Sequence, residues 1–262
     1  MALNFNTKPG LVAYLTCGDP DLRTTQEIAL AAIDAGASVI ELGVPFSDPV
    51  ADGPVIQRAS ERALRQHTTL SDVLDLAAAI RKQRANAGLI VFSYLNPILR
   101  FGLERFCAAA RKAGVDGALV TDLPIEEAGE YVRLMRQQAL ATIFLAAPTS
   151  TDERLKRIAS LSTGFVYALS RTGVTGARKN LTGDARELVT RLRRFTKLPI
   201  AVGFGISTPQ QVAEIAEFAD AAVVGSAIVH LAENTAPSGA PLAVGDFVRS
   251  LRRRAHGAAN PA

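Results

Sequence analysis

Apolar positions along this chain fall into eight short runs, each followed by a stretch in which they recur every three or four residues. The runs occupy 11–18 (LVAYLTCG), 38–45 (SVIELGVP), 88–96 (GLIVFSYLN) and 117–123 (GALVTDL). They continue at 141–148 (ATIFLAAP), 164–170 (GFVYALS), 199–207 (PIAVGFGIS) and 221–229 (AAVVGSAIV). Each is rich in β-branched or aromatic residues and apolar at successive positions, as a strand covered on both faces should be. Helical periodicity occupies 25–35, 71–84, 103–113, 152–160, 185–195, 209–218 and 241–254. Ser207-Thr208-Pro209 supplies a cap followed by a proline for the first turn, and Gly36 and Gly114 suit positions just past a helix end.

Eight strand–helix units in this order predict a (β/α)8 (TIM) barrel, an α/β fold of a single domain spanning 1–262. Extra helices are expected after strand 2 (55–66) and after strand 8, where Gly225-Ser226 opens a short helix, with a disordered tail from roughly 255 to 262. A doubly wound open sheet is the alternative that the same alternation permits.

Composition narrows the function classes. The chain has 262 residues, is 48% hydrophobic and carries a net charge of +4. The basic residues are spread over helical faces, diluted by 25 acidic ones, and the run from Arg249 to Arg254 closes the last helix, where cations suit the helix dipole. Trp is absent and no basic patch is interleaved with aromatics, so nucleic acid is not the expected partner. No stretch approaches the roughly 18 apolar residues of a membrane span, and 1–10 lacks the pattern of a secretory signal. The two cysteines, Cys17 and Cys107, have no framework or metal spacing, so a cytoplasmic protein without a metal site is expected.

Chemistry in such a barrel gathers where strands end. Glu41 interrupts the run Val39-Ile40-Glu41-Leu42-Gly43-Val44 and shares a strand face with Val39 and Gly43. If that face is the barrel interior, burial raises the carboxyl pKa towards neutrality, where it can both give and take a proton. The bland reading is a glutamate reaching out between helices. Asp52 follows in the loop Ser47-Asp48-Pro49-Val50-Ala51-Asp52-Gly53-Pro54, and by itself is more often a turn former or helix cap. Its position directly after the Glu41 strand is what raises it.

At the ends of strands 7 and 8, Gly203-Phe204-Gly205-Ile206-Ser207 and Gly225-Ser226 offer backbone N–H groups, hydroxyls and a helix N-terminus. These are the parts of an anion cradle at the usual phosphate position of the fold. Glycines also serve ordinary turns. The segment Ser170-Arg171-Thr172-Gly173-Val174-Thr175-Gly176-Ala177-Arg178 after strand 6 reads either as a plain connection or as a lid, with Tyr167 just before it. His67, His230 and His256 lie away from strand ends and are not expected to do chemistry.

The segment from Glu41 to Pro54 closely resembles the signature of tryptophan synthase alpha subunits. So do Leu15-Thr16-Cys17-Gly18-Asp19-Pro20, Ser170 through Gly176, and Gly203 through Ser207. The resemblance implies reversible retro-aldol cleavage of indole-3-glycerol phosphate to indole and glyceraldehyde 3-phosphate. Glu41 would be the acid–base and Asp52 would accept the indole N–H. It further implies phosphate binding by Gly176, Gly205, Gly225 and Ser226, and an apolar indole slot of Tyr14, Leu119, Leu145 and Phe204. Tyr167 would stand beside Glu41, and Thr175 would close towards Asp52. No cofactor is implied in this chain; pyridoxal phosphate belongs to a beta subunit, the expected partner in an alpha2beta2 complex. Pro45, Phe46, Asp48, Pro49, Asn96 and Pro124 would face that partner. A free-standing lyase and a catalytically silent activator of the beta subunit remain alternatives.

Overall fold

The computed structural model describes residues 3, 5, 8–170, 181–203 and 205–253; the side chains of residues 181, 182 and 253 are outside the description. Eight parallel strands close into a barrel in sequence order. They are β1 (Gly10–Thr16), β2 (Val39–Gly43), β3 (Gly88–Ser93), β4 (Gly117–Val120), β5 (Ala141–Ala146), β6 (Val166–Leu169), β7 (Ile200–Gly203) and β8 (Ala221–Val224). Closure comes from β8 pairing with β1, Gly10 opposite Ala221. An open sheet is thereby ruled out.

Helices α1 (Leu22–Asp34), α2 (Pro54–Arg65), α3 (Leu70–Gln83), α4 (Leu95–Phe101), α5 (Leu103–Ala113) and α6 (Gly129–Gln137) cover the first half. The second half is covered by α7 (Asp152–Leu161), α8 (Leu181–Leu192), α9 (Pro209–Ala216), α10 (Ser226–Glu233) and α11 (Ala240–Arg253). The paired helices after β2 (α2, α3) and after β8 (α10, α11) match the expected insertions. Two helices differ from the sequence reading. The third apolar run stops as a strand at Ser93, because Tyr94 is the extended N-cap of α4, so Asn96 is helical. Helix α6 has an amphipathic face of only four buried residues, too short to stand out beforehand. The eighth run likewise divides at Gly225, where β8 ends and α10 begins.

Strand alternation separates two apolar layers. Ile40 and Leu42 pack outwards with Leu11, Ala13, Leu89 and Val91 under the helices. Val39 faces inwards with Val12, Ile90, Leu119, Ile143, Phe165 and Tyr167. The barrel interior is thus a filled core, and Phe5 against Phe165 (ring centroids 5.8 Å apart) packs on its lower part. Around the lower rim, carboxylates stitch neighbouring strands. Asp116 accepts from Leu89 N–H and Arg81, both at 2.8 Å, and Asp220 accepts from Ile200 N–H (2.8 Å) and Arg193.

Candidate active site

Because Val39 points into the barrel, Glu41, two residues on, does so as well. The strand places it opposite Tyr14 of β1 and Ile90 of β3. Its side chain is 1% exposed, and among the described residues neither carboxyl oxygen has a hydrogen-bond partner. No arginine or lysine among them pairs with it either. Burial without compensation pushes its pKa from the ordinary carboxyl range up to about 8. A buried polar group left unsatisfied is costly, and one with a raised pKa inside a cavity is a candidate for function.

Asp52 lies in the turn between β2 and α2, where its N–H bonds to Pro49 O at 3.0 Å. It is 7% exposed, and burial raises its pKa to about 6, against the lowering effect of a hydrogen bond from Tyr94. Tyr94 Oη donates to Asp52 Oδ2 and accepts from Ala51 N–H, both at 3.0 Å, so one phenol grips the loop at two points. Gln57 of α2 donates to the Asp52 carbonyl at 2.9 Å. Environment thus sets the two carboxyl groups apart, Glu41 keeping its proton to higher pH than Asp52.

Both carboxyl groups open into a cavity of about 260 Å³ at the C-terminal end of the strands. Tyr14, Phe92 and Tyr167 form its aromatic wall, with Val55, Ile56 and Val223 completing the apolar surface. Two glycines make room for the phenols: a Cβ at Gly43 would collide with the Tyr14 hydroxyl, and one at Gly203 with the Tyr167 hydroxyl. Burial raises the pKa of both phenols, so they stay neutral. Gly205, Gly225 and Ser226 also line the cavity, Gly225 against Tyr14. Gly205 has φ +80° and open space beside its Cα, and no side chain caps α10, whose positive end begins at Ser226. These are the glycines and the helix start that the sequence reading offers as an anion cradle.

The cavity brings together Glu41, Asp52, Tyr14, Tyr167, Gly205, Gly225 and Ser226. Leu119 sits in the barrel core, and Leu145 borders a separate groove with Leu123 and Pro124; neither lines this cavity. Phe92, Val55, Ile56, Val223 and Tyr94 were not singled out by the sequence reading. Phe92 was detectable in principle, since strand alternation puts it on the Ile90 face. Thr175, Gly176 and Phe204, the segment 171–178, His256 and the tail from 255 lie outside the described residues. His67 occupies the turn between α2 and α3 with φ 58°, and His230 is on α10. Among the described residues no cluster of His, Cys, Asp or Glu could hold a metal ion, and no helix is long and apolar enough to cross a membrane.

The fold and the cavity are those of a parallel-barrel enzyme, with two carboxyl groups, glycines and a helix N-terminus lining one pocket. The family model for the tryptophan synthase alpha chain matches residues 1–244, and the chain belongs to that family. It is 51% identical to the tryptophan synthase alpha chain of Solibacter usitatus over 252 residues, covering 96% of this chain and 94% of that one. The alpha chain of Geobacter sulfurreducens is 46% identical over 250 residues, covering 95% and 94%. A chain from the tryptophan synthase a2b2 complex of Pyrococcus furiosus superposes with a TM-score of 0.87 at 40% identity, over 93% of this chain and 98% of that chain.

Proposed function

We propose that this chain cleaves indole-3-glycerol phosphate to indole and glyceraldehyde 3-phosphate as the alpha subunit of a tryptophan synthase in the cytoplasm. The observation that carries the reading is Glu41: a fully buried carboxyl on the inward face of β2, without a partner among the described residues, in one cavity with Gly205, Gly225 and Ser226.

The chemistry follows from the two carboxyl groups. Protonated Glu41 gives its proton to indole C3, and the ring becomes a cationic indolenine. Ionised Asp52 accepts the ring N–H and stabilises that positive charge. The carboxylate of Glu41 then takes the proton from the adjacent glycerol hydroxyl. The carbon–carbon bond breaks, the aldehyde forms, and the bonding electrons return to the ring to neutralise the nitrogen. Glu41 ends as it began, protonated. This sequence asks for no cofactor within the chain, and pyridoxal phosphate is assigned to the beta partner.

Gly205, Gly225 and Ser226 hold the phosphate, helped by Gly176. Tyr14 and Tyr167 flank the reacting centre. Leu119, Leu145 and Phe204 are assigned to the indole slot, and Thr175 to closure over Asp52, on the family resemblance. The partner surface consists of Pro45, Phe46, Asp48, Pro49, Asn96 and Pro124. Two strongly exposed apolar side chains support it: Val50 (79% exposed) lies in the loop that carries Asp48 and Pro49, and Leu99 (55%) lies on the helix that carries Asn96. An alpha2beta2 assembly is supported by the complex described for the Pyrococcus furiosus relative. The two cysteines, both buried and unpaired, are in keeping with a reducing compartment.

Indole release from indole-3-glycerol phosphate by the purified chain, with and without a beta subunit, tests the proposal. Weak activity alone and strong stimulation by the partner are expected. No activity in either condition would leave only a silent activator, and full activity without a partner would point to a free-standing lyase.

A further inference from the structure

The motif Leu15 to Pro20 resembles the family signature but contributes only Leu15, Thr16 and Cys17 to strand 1 or its end, and none of its residues lines the cavity. Its aspartate has a different task. Asp19 is buried at the β1–α1 turn and receives both Nε and Nη2 of Arg62, at 2.7 and 2.8 Å. The turn that presents it is specific: Gly18 has φ +87°, its N–H bonds to Thr25 Oγ1 at 3.1 Å, and a Cβ there would collide with Thr68. The remaining terminal nitrogen of Arg62, Nη1, donates to Glu233 at 2.8 Å. Arg58, one turn earlier on α2, adds a second fork to Glu233 at 3.2 and 3.1 Å. These guanidiniums hold the Glu233 carboxyl down to about 2.

Helix α2 starts beside Asp52, with Val55 and Ile56 in the cavity wall; α10 starts at Ser226 in the anion cradle. Arg62 grips the far part of α2 and Glu233 is the last residue of α10. The same guanidinium thus ties the helix at the indole end of the cavity to the helix at its phosphate end, and both to the strand that carries Tyr14. A bidentate arginine fixes geometry as well as charge, which a lysine at the same place would not.

We infer that Arg62 is a positioning residue that sets the distance between Asp52 and the phosphate cradle, so that both ends of one substrate are engaged together. This rests on the proposed lyase reading. Two ends joined by a short linker gain affinity only when the spacing of their subsites fits, and a displacement of about 1 Å at such a site can cost on the order of 100-fold.

The experiment compares Arg62→Gln, Arg62→Lys and the unaltered chain, with its beta subunit, in binding three probes: indole, inorganic phosphate and indole-3-propanol phosphate. The last joins both ends and lacks the hydroxyl needed for cleavage. In Arg62→Gln the joined probe should lose about tenfold in affinity while indole and phosphate each change less than twofold, and Arg62→Lys should recover only part of the loss. Unchanged binding of the joined probe, or an equal loss for all three, would overturn the inference. Should Arg62→Gln fail to fold, Glu233→Gln weakens the α10 side of the tie, the contacts of both Arg62 and Arg58, while leaving Arg62 on Asp19, and is held to the same outcomes. An unaltered chain that binds the joined probe no better than its parts would instead sink the lyase reading itself.

Discussion

The two rims of the barrel treat the same functional group in opposite ways. At the lower rim Asp116 and Asp220 each accept from an N–H near the start of a neighbouring strand and from an arginine. At the upper rim Glu41 has no partner among the described residues and Asp52 has a single phenol on its carboxyl. A carboxylate that completes strand hydrogen bonds and neutralises a guanidinium contributes to stability. A buried carboxyl without such partners has a raised pKa and costs stability, and the proton transfer proposed at Glu41 accounts for that cost. Charge at the strand ends is therefore read by its partners, not by its residue type.

The contrast breaks most sharply at Glu41. Removing its proton-carrying capacity in Glu41→Gln should lower kcat/KM for indole release by about 1000-fold, within the range for loss of a general acid–base. Asp52→Asn keeps the shape but cannot balance a cationic ring, and a loss of roughly 100-fold is expected in the same assay. Wild-type levels in either variant would contradict the assigned roles.

A smaller and more diagnostic effect belongs to Tyr94. Its hydrogen bond lowers the Asp52 pKa against burial, so Tyr94→Phe should move the acid limb of the kcat/KM profile upwards from about 6, with a rate loss of roughly tenfold or less. An acid limb that stays in place would mean that the phenol does not tune Asp52.

At the other rim the readout changes from rate to stability. Asp220→Ala leaves the Ile200 N–H and Arg193 without their acceptor and should cost about 1–3 kcal/mol, with kcat within about twofold of wild type. Glu41→Gln should do the reverse. The folded state keeps the Glu41 proton up to about 8 while the unfolded chain loses it near 4.5, so wild-type stability falls as pH rises across that window. Denaturant midpoints of the two variants between pH 5 and 8 should diverge accordingly: a steady deficit for Asp220→Ala and, for Glu41→Gln, a difference from wild type that shifts in favour of the variant with pH. Parallel curves would erase the distinction between the rims.

Much of this was legible in the pattern of residues. Eight apolar runs are hard to mistake when both strand faces are buried, and an acid inside one of them, Glu41, stands out for the same reason. The glycine pairs at 203–205 and 225 could be placed because barrel topology brings the ends of strands 7 and 8 side by side. What stayed hidden depends on contacts between distant segments. Asp52 is held by Tyr94, 42 positions away, and no local rule links a loop aspartate to a tyrosine at the next strand's end. The Arg62–Glu233 tie spans 171 positions. Val55 and Ile56 looked like ordinary helix faces until α2 was seen to lie across the mouth of the barrel. Leu119 and Leu145 share the inward face of their strands, yet Leu145 borders the groove with Leu123 and Pro124, because alternation gives the face of a strand and not which opening a side chain meets.

The proposed chemistry turns on the protonation state of one side chain. Infrared difference spectroscopy, wild type minus Glu41→Gln, follows that carboxyl directly. A protonated-carboxyl stretch present at pH 6 and disappearing with a midpoint near 8 is the predicted result; a carboxylate band already complete at pH 6 would contradict the claim that Glu41 is held protonated as the proton carrier.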